Sequence, residues 1–165
     1  MHLHWDQVGG CSYLPDVSVY IQRIEMAFAF APLPTHLLQY ESPILGLDQY
    51  WARLGSRVPL VDGVVDIAQG IRLVPTHGHT DGHQSVIVET FAGRFCVAGN
   101  PVDTFANWTM RRPRWPDWIQ GIPPGNLSNV CEWYDSVAPI RAMGCEILPS
   151  HETQMIDAGV IGMRA

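Results

Sequence analysis

Charge is scarce in this chain. Only 16% of its 165 residues are charged and the net charge is −6, with no long basic run to supply the electrostatic footprint that nucleic acid requires. No nucleic-acid partner is therefore expected. No apolar stretch approaches the roughly 20 residues of a spanning helix, and the overall acidity argues against strong attachment to a membrane surface. The N-terminus lacks a basic segment followed by an apolar one, so no secretory signal is expected. None of the four cysteines, Cys11, Cys96, Cys131 and Cys145, belongs to a Cys-x-x-Cys pair. They read as reduced, mostly buried thiols of a cytoplasmic protein, ahead of a disulfide or a catalytic thiol. No Gly-Lys-Ser/Thr follows Gly9-Gly10, which leaves a tight turn there rather than a phosphate loop. Internal repeats and low-complexity tracts are also missing.

What is present is apolar. At 47% apolar residues the chain has the material for a packed core, and its length suits a single domain over residues 1–165. Val17–Gln22 reads as a strand and 23–30 as a short helix. The prolines of 31–43 mark a loop, and Pro43–Leu54 a helix with Ser42 as N-cap and Gly55 as stop. Val58–Val61 and Val64–Ala68 flank Asp62-Gly63, the signature of a tight hairpin. Ile71–Val74 is another strand, and Ser85–Thr90 with Arg94–Ala98 a second hairpin. The Trp-, Pro- and Arg-rich residues 107–125 form a long loop. Asn129–Met143 is a helix opened by an Asn129/Glu132 capping box, with Val130, Trp133, Tyr134 and Val137 as its apolar face and Pro139 as a flaw. Cys145–Leu148 is a final strand. The pattern implies an α+β or α/β layered domain, with ligand-type residues recurring at strand ends.

Those residues carry the functional signal. His and Asp are poor core residues, yet His2, His4 and Asp6 crowd one short segment. His77, His79 and His83 crowd another, Asn100 follows Val97-Ala98-Gly99, and His151 follows Leu148-Pro149-Ser150. His36 is the one histidine outside these segments. Imidazole and carboxylate ligands favour zinc, and catalytic zinc takes three protein ligands with an open position. Such a site activates water for hydrolysis. His77 and His83 read as supporting groups rather than ligands.

Taken together, these segments resemble the metallo-β-lactamase-fold hydrolases, and most nearly the N-acyl-homoserine lactonase-like branch. The family's His-x-His-x-Asp-His is matched by His2-Leu3-His4-Trp5-Asp6-Gln7, and its Gly-His-Thr-Pro-Gly-His by Gly78-His79-Thr80-Asp81-Gly82-His83. Val97-Ala98-Gly99-Asn100 resembles the segment of the metal-bridging Asp, and Leu148-Pro149-Ser150-His151 that of the last His. The resemblance implies an αββα sandwich-type α+β fold. It implies a first metal on His2, His4 and His79, a second on Asp6 and His151, and position 100 between them. It also implies hydrolysis of a lactone or related ester-type small molecule through a zinc-bound hydroxide, with Asp6 handling protons near the leaving oxygen.

Four departures qualify that expectation. Gln7 stands in place of a His and Asn100 in place of the bridging Asp, so zinc, as one or two ions, is expected to favour the first position. Asp103 stands where lactonase relatives carry a Tyr, which puts acyl-homoserine lactone specificity in question. Almost nothing precedes His2, whereas family members place several strands there. The chain is therefore expected to lack much of the N-terminal β layer, as a fragment or as a protein completed by self-association. A degenerate relative that binds metal or a partner without catalysis is the main competing expectation. A thioester or phosphodiester hydrolase of the same superfamily is a third, because fold alone does not fix substrate.

Overall fold

A computed structural model describes residues 1–109, 114–116 and 121–157. Its centre is the hairpin of β5 (Gln84–Thr90) and β6 (Gly93–Gly99). β-Branched residues fill β5 (Val86, Ile87, Val88 and Thr90), while β6 brings Phe95, Cys96 and Val97; Gly93 turns the chain at φ +137°, a conformation that side chains resist. β3 (Val65–Ala68), β4 (Ile71–Pro75) and β7 (Glu146–Pro149) complete a five-stranded sheet in the order β3-β4-β5-β6-β7. The first four strands are antiparallel to their neighbours and β7 runs parallel to β6. A parallel neighbour requires a crossover, and the helix α4 (Val130–Ala142) lies within it.

The α4 helix begins where its capping residue predicts. The Asn129 side chain accepts from the backbone N–H of Cys131 and Glu132. The return half of the capping box is absent, because the Asn129 N–H is donated to the carbonyl of Gly78 instead. The buried stripe is Trp133, Val137 and Ile140, spaced i, i+4, i+7. Val130 and Tyr134, expected on that face, are 47% and 46% exposed. Pro139 sits inside the helix without ending it. Ile140 joins Val74, Ile87, Cys96, Ala98, Val102 and Ile147 in one core cluster.

A second cluster, made of Leu3, Val8, Ile21, Phe28, Ala29, Tyr40, Trp51 and Leu54, gathers the segments before the sheet. It holds the expected helix α2 (Arg23–Phe30), but three other expectations fail here. The strand over 17–22 contracts to β1 (Ile21–Gln22). The helix over 43–54 is instead two 3₁₀ turns, Pro43–Leu45 and Tyr50–Arg57. Ser42 caps the first turn as expected, accepting from the Ile44 N–H, and Gly46 at φ +71° ends it. The hairpin at Asp62-Gly63 does not form, because β2 (Leu60–Val61) pairs in parallel with β1. The Gln22 side chain holds the segment after β2: its amide donates to the Gly63 carbonyl and accepts from the Gly63 N–H, both at 2.9 Å.

All four cysteines are free. Only Cys96 is fully buried; Cys11 and Cys145 are half-buried and Cys131 is exposed, so the expected burial holds for one of them. Trp108 lies on the short helix α3 (Phe105–Thr109) and packs against the sheet cluster, with the Arg141 guanidinium 3.8 Å from its ring centre. Met110, Arg111, Arg112 and Trp118 of the same expected loop fall outside the described residues. Among the described residues, no helix is long and apolar enough to cross a membrane.

Candidate metal centre

The segment leading into the helix α1 (Trp5–Val8) builds the first half of the site, and the helix's N-cap residue, His4, has extended φ/ψ. Leu3 packs into the core cluster, while the His2 and His4 ring centres lie 4.2 Å apart. The second half is the tight loop after β4. At Gly78 (φ +116°) a Cβ would lie 2.5 Å from the Trp133 backbone nitrogen, so only glycine lets the loop meet the start of α4. Backbone N–H groups of Ser128 and Asn129 donate to the carbonyls of His79 and Gly78, fixing the loop from that side.

These two halves bring His2, His4 and His79 together, each at most 3% exposed. His79 Nε2 is 3.2 Å from His2 Nε2 and 3.2 Å from His4 Nδ1. One imidazole nitrogen offers either one proton or one lone pair, so His79 Nε2 cannot make two good hydrogen bonds there. The spacing suits a cation instead. Nitrogens bound tetrahedrally at zinc distances stand about 3.3 Å apart. Among the described residues this trio is the group of His, Cys, Asp and Glu side chains close enough to share an ion. Burial also keeps the rings neutral, which is the metal-binding form. Loss of hydration, reinforced by neighbouring imidazoles, holds His2 well below its ordinary range and pulls His79 down to about 3 and His4 to about 2.

Supporting groups surround the trio. His36, fully buried, places Nδ1 3.1 Å from His4 Nε2. With His4 Nδ1 facing the cation position, its Nε2–H is the donor and His36 the acceptor. His36 lies in a proline-rich stretch away from the motifs, so nothing local in the sequence signals this contact. His83 is also buried, with Nδ1 2.8 Å from Thr76 Oγ1 and its ring centre 5.1 Å from that of His2. His77 instead contacts the Asp81 carbonyl.

The remaining expected residues gather at a more open second position. His151 Nε2 lies 3.0 Å from Asn100 Nδ2, 3.6 Å from Asp6 Oδ2 and 3.9 Å from Asp103 Oδ1. Backbone bonds from Ser150 to Val102 and from His151 to Asp103 set this edge. Burial pushes the Asp103 carboxyl above its ordinary range, with His151 opposing. Asn100 Oδ1 is buried without a hydrogen-bond partner. Gln7 Nε2 donates to Asp6 Oδ2 at 2.9 Å. A groove of about 540 Å3 opens beside Asp6, lined by Trp5, Gly10, Tyr13, Tyr50 and Arg53 among others. A larger one, of about 660 Å3, lies on the sheet around Asp66, Arg72, Glu89 and Arg94 and touches none of the candidate residues.

A sequence profile of the Metallo-beta-lactamase superfamily matches residues 2–131, which contain five of the six expected ligands. The chain belongs to the metallo-beta-lactamase superfamily. Within the superfamily it is similar to an N-acyl homoserine lactonase of a Bacillus species, at 31% identity over 90 residues, covering 54% of this chain and 31% of the relative. It is 30% identical over 89 residues to the Bacillus cereus N-acyl homoserine lactonase, with the same coverage. Its fold matches that of a B. thuringiensis AiiA variant solved with N-decanoyl-L-homoserine at its active site, with TM-score 0.68 and 19% identity over 97% of this chain. It also matches an N-acyl homoserine lactone hydrolase with N-hexanoyl-L-homoserine at its catalytic metal center, with TM-score 0.70 and 18% identity. Both comparisons cover 57% of the other chain. This chain thus spans just over half of those structures and about a third of the curated relatives.

Proposed function

We propose that this chain is a zinc-dependent hydrolase acting on a lactone or related ester-type small molecule. The observation that carries the proposal is the buried trio of neutral imidazoles, with His79 Nε2 3.2 Å from both partners. The metal would be held by His2 Nε2, His4 Nδ1 and His79 Nε2, and would supply Lewis acidity and a water of lowered pKa. Asp6, two residues after His4 and with Oδ2 3.6 Å from His151 Nε2, is the residue we assign to proton transfer near the leaving oxygen. The groove beside Asp6 offers Trp5, Tyr13 and Tyr50 as apolar surface for the rest of the substrate. Its lactonase relatives point to the ester-type bond. Asp103 keeps the proposal at the level of lactones and esters, because it offers a carboxyl where a phenol would polarise an acyl-homoserine carbonyl. We place the protein in the cytoplasm, in keeping with its four free thiols.

At the second position, Asp6, His151 and Asn100 are the groups available to a further ion. Two amides compete with it. The N–H of Asn100 is directed at the His151 lone pair and that of Gln7 at the Asp6 carboxylate. An amide oxygen is also a weak zinc ligand. The first position is therefore expected to fill preferentially.

The same two amides favour the competing reading, a relative that binds metal without turnover. Protein stripped of metal and reloaded with zinc, assayed against a panel of lactones and aryl esters, separates the two. Zinc-dependent turnover of at least one member is the expected outcome. Bound zinc without turnover across the panel would leave the non-catalytic reading standing.

A further inference from the structure

The ligand segments lie 77 positions apart in sequence, and one buried side chain ties them together. Glu25, on α2, is fully buried. Its Oε1 accepts from the Leu3 N–H at 2.9 Å and from the Tyr40 hydroxyl at 2.6 Å, and its Oε2 accepts from Thr80 Oγ1 at 2.6 Å. Each donor leads to a ligand. Leu3 lies between His2 and His4, Thr80 follows His79, and the Tyr40 ring is 4.4 Å from the His4 ring. A separate contact sets the same distance. A Cβ at Gly82 would lie 2.2 to 2.3 Å from Glu25 N, Cα and Cβ, so the His79 loop rests directly on the α2 backbone at this residue. Among the described residues, no Arg or Lys side chain pairs with Glu25, so its three hydrogen bonds, with the electrostatic pull of the Met1 amino group, are what offset its burial.

We infer that Glu25 is a positioning residue for the metal: its two oxygens hold the His2–His4 segment and the His79 loop at the spacing that a tetrahedral ion requires. This rests on the zinc site proposed above. Removing partners that orient metal ligands typically weakens metal affinity about ten- to a hundredfold. Glu25→Gln keeps the shape but exchanges one acceptor oxygen for a donor, so it leaves either the Leu3–Tyr40 pair or Thr80 facing an N–H. Thr80→Val cuts the link to the His79 loop alone. Tyr40→Phe removes a bond to the same carboxylate while leaving both segment links in place.

The test is zinc affinity by chelator competition for the wild type and these three variants, with circular dichroism and thermal unfolding of the zinc-free proteins alongside. The core variant Ile87→Val serves as a control for lost stability. Glu25→Gln is expected to bind about ten- to a hundredfold more weakly, and Thr80→Val about tenfold more weakly. Tyr40→Phe is expected to fall short of Thr80→Val, and Ile87→Val to bind as the wild type does. Folded Glu25→Gln with wild-type affinity overturns the inference. If Glu25→Gln does not fold, Thr80→Val decides in the same way. A wild type that binds no zinc overturns this inference and the proposed function together, whereas zinc-binding wild type with unaltered variants overturns this inference alone.

Discussion

Replacing His79 with alanine is expected to abolish zinc-dependent turnover and to weaken zinc binding by more than about a hundredfold, since losing a ligand exceeds the loss of an orienting partner. His79 Nε2 is the nitrogen in contact with both other ligands, so two imidazoles cannot close the site without it. The same substitution is expected to leave the zinc-free protein folded. In the absence of an ion, His79 crowds two neutral rings with which it cannot hydrogen-bond well, and the loop remains anchored by the Ser128 and Asn129 backbone bonds and by the Thr80 bond to Glu25. Equilibrium dialysis and thermal unfolding of His79→Ala check the two halves. A variant that binds zinc normally would assign His79 to the turn rather than the metal. One that unfolds without zinc would mean that the ring carries packing beyond its ligand role.

Acid is expected to unfold the zinc-free protein well above the pH at which carboxylates titrate. His79 has an ordinary value of 6.5 and is drawn down to about 3 by lost hydration, and His4 is drawn down to about 2 for the same reason. The folded state therefore keeps these rings neutral while the unfolded chain takes up protons. Stability is fully present above about pH 6.5 and is lost as pH falls toward the folded values. Each such ring contributes a slope of about 1.4 kcal/mol per pH unit. His4 and His79 together amount to about 3 kcal/mol at one unit below 6.5, and His2 and His83 are shifted in the same direction. Glu25 and Asp103, raised by burial, act in the opposite sense, but are two groups against five imidazoles, since burial lowers His36 as well. Lowering the pH from about 7.5 to about 5.5 should depress the melting temperature of the zinc-free protein by at least about 5 °C. An unchanged melting temperature over that range would show that the rings are not held neutral. Zinc should protect against the drop, because its ligands must be deprotonated.

How much of this was legible in the sequence depended on whether a feature was local. The grouping of His2, His4 and His79 is what the resemblance of two short motifs implies, and the structure brings their ligand atoms together. The β5–β6 hairpin and the Asn129 cap were readable because turn and capping residues act locally. Glu25 was not. It sits in Arg23-Ile24-Glu25-Met26, beside two exposed residues, where a carboxylate ordinarily faces water, and its burial depends on Leu3, Tyr40 and Thr80 arriving from elsewhere. His36 was hidden in the same way, since its partner His4 lies 32 positions away. The failed hairpin at Asp62-Gly63 shows a third limit. Turn chemistry favours it locally, but β2 pairs with β1, about 39 residues earlier in the chain, a partner that local sequence does not reveal. The helix expected over 43–54 failed at Gly46, which takes positive φ and ends the first turn, a choice that composition alone does not announce.

The central claim is that a single metal position, on His2, His4 and His79, carries the activity. Its most direct test is to titrate zinc into metal-stripped protein while following hydrolysis of the best lactone or ester of the panel. The account predicts a rate that climbs with added zinc and levels off at one equivalent per chain. A rate that climbs to two equivalents, or no zinc-dependent rate at any ratio, would contradict it.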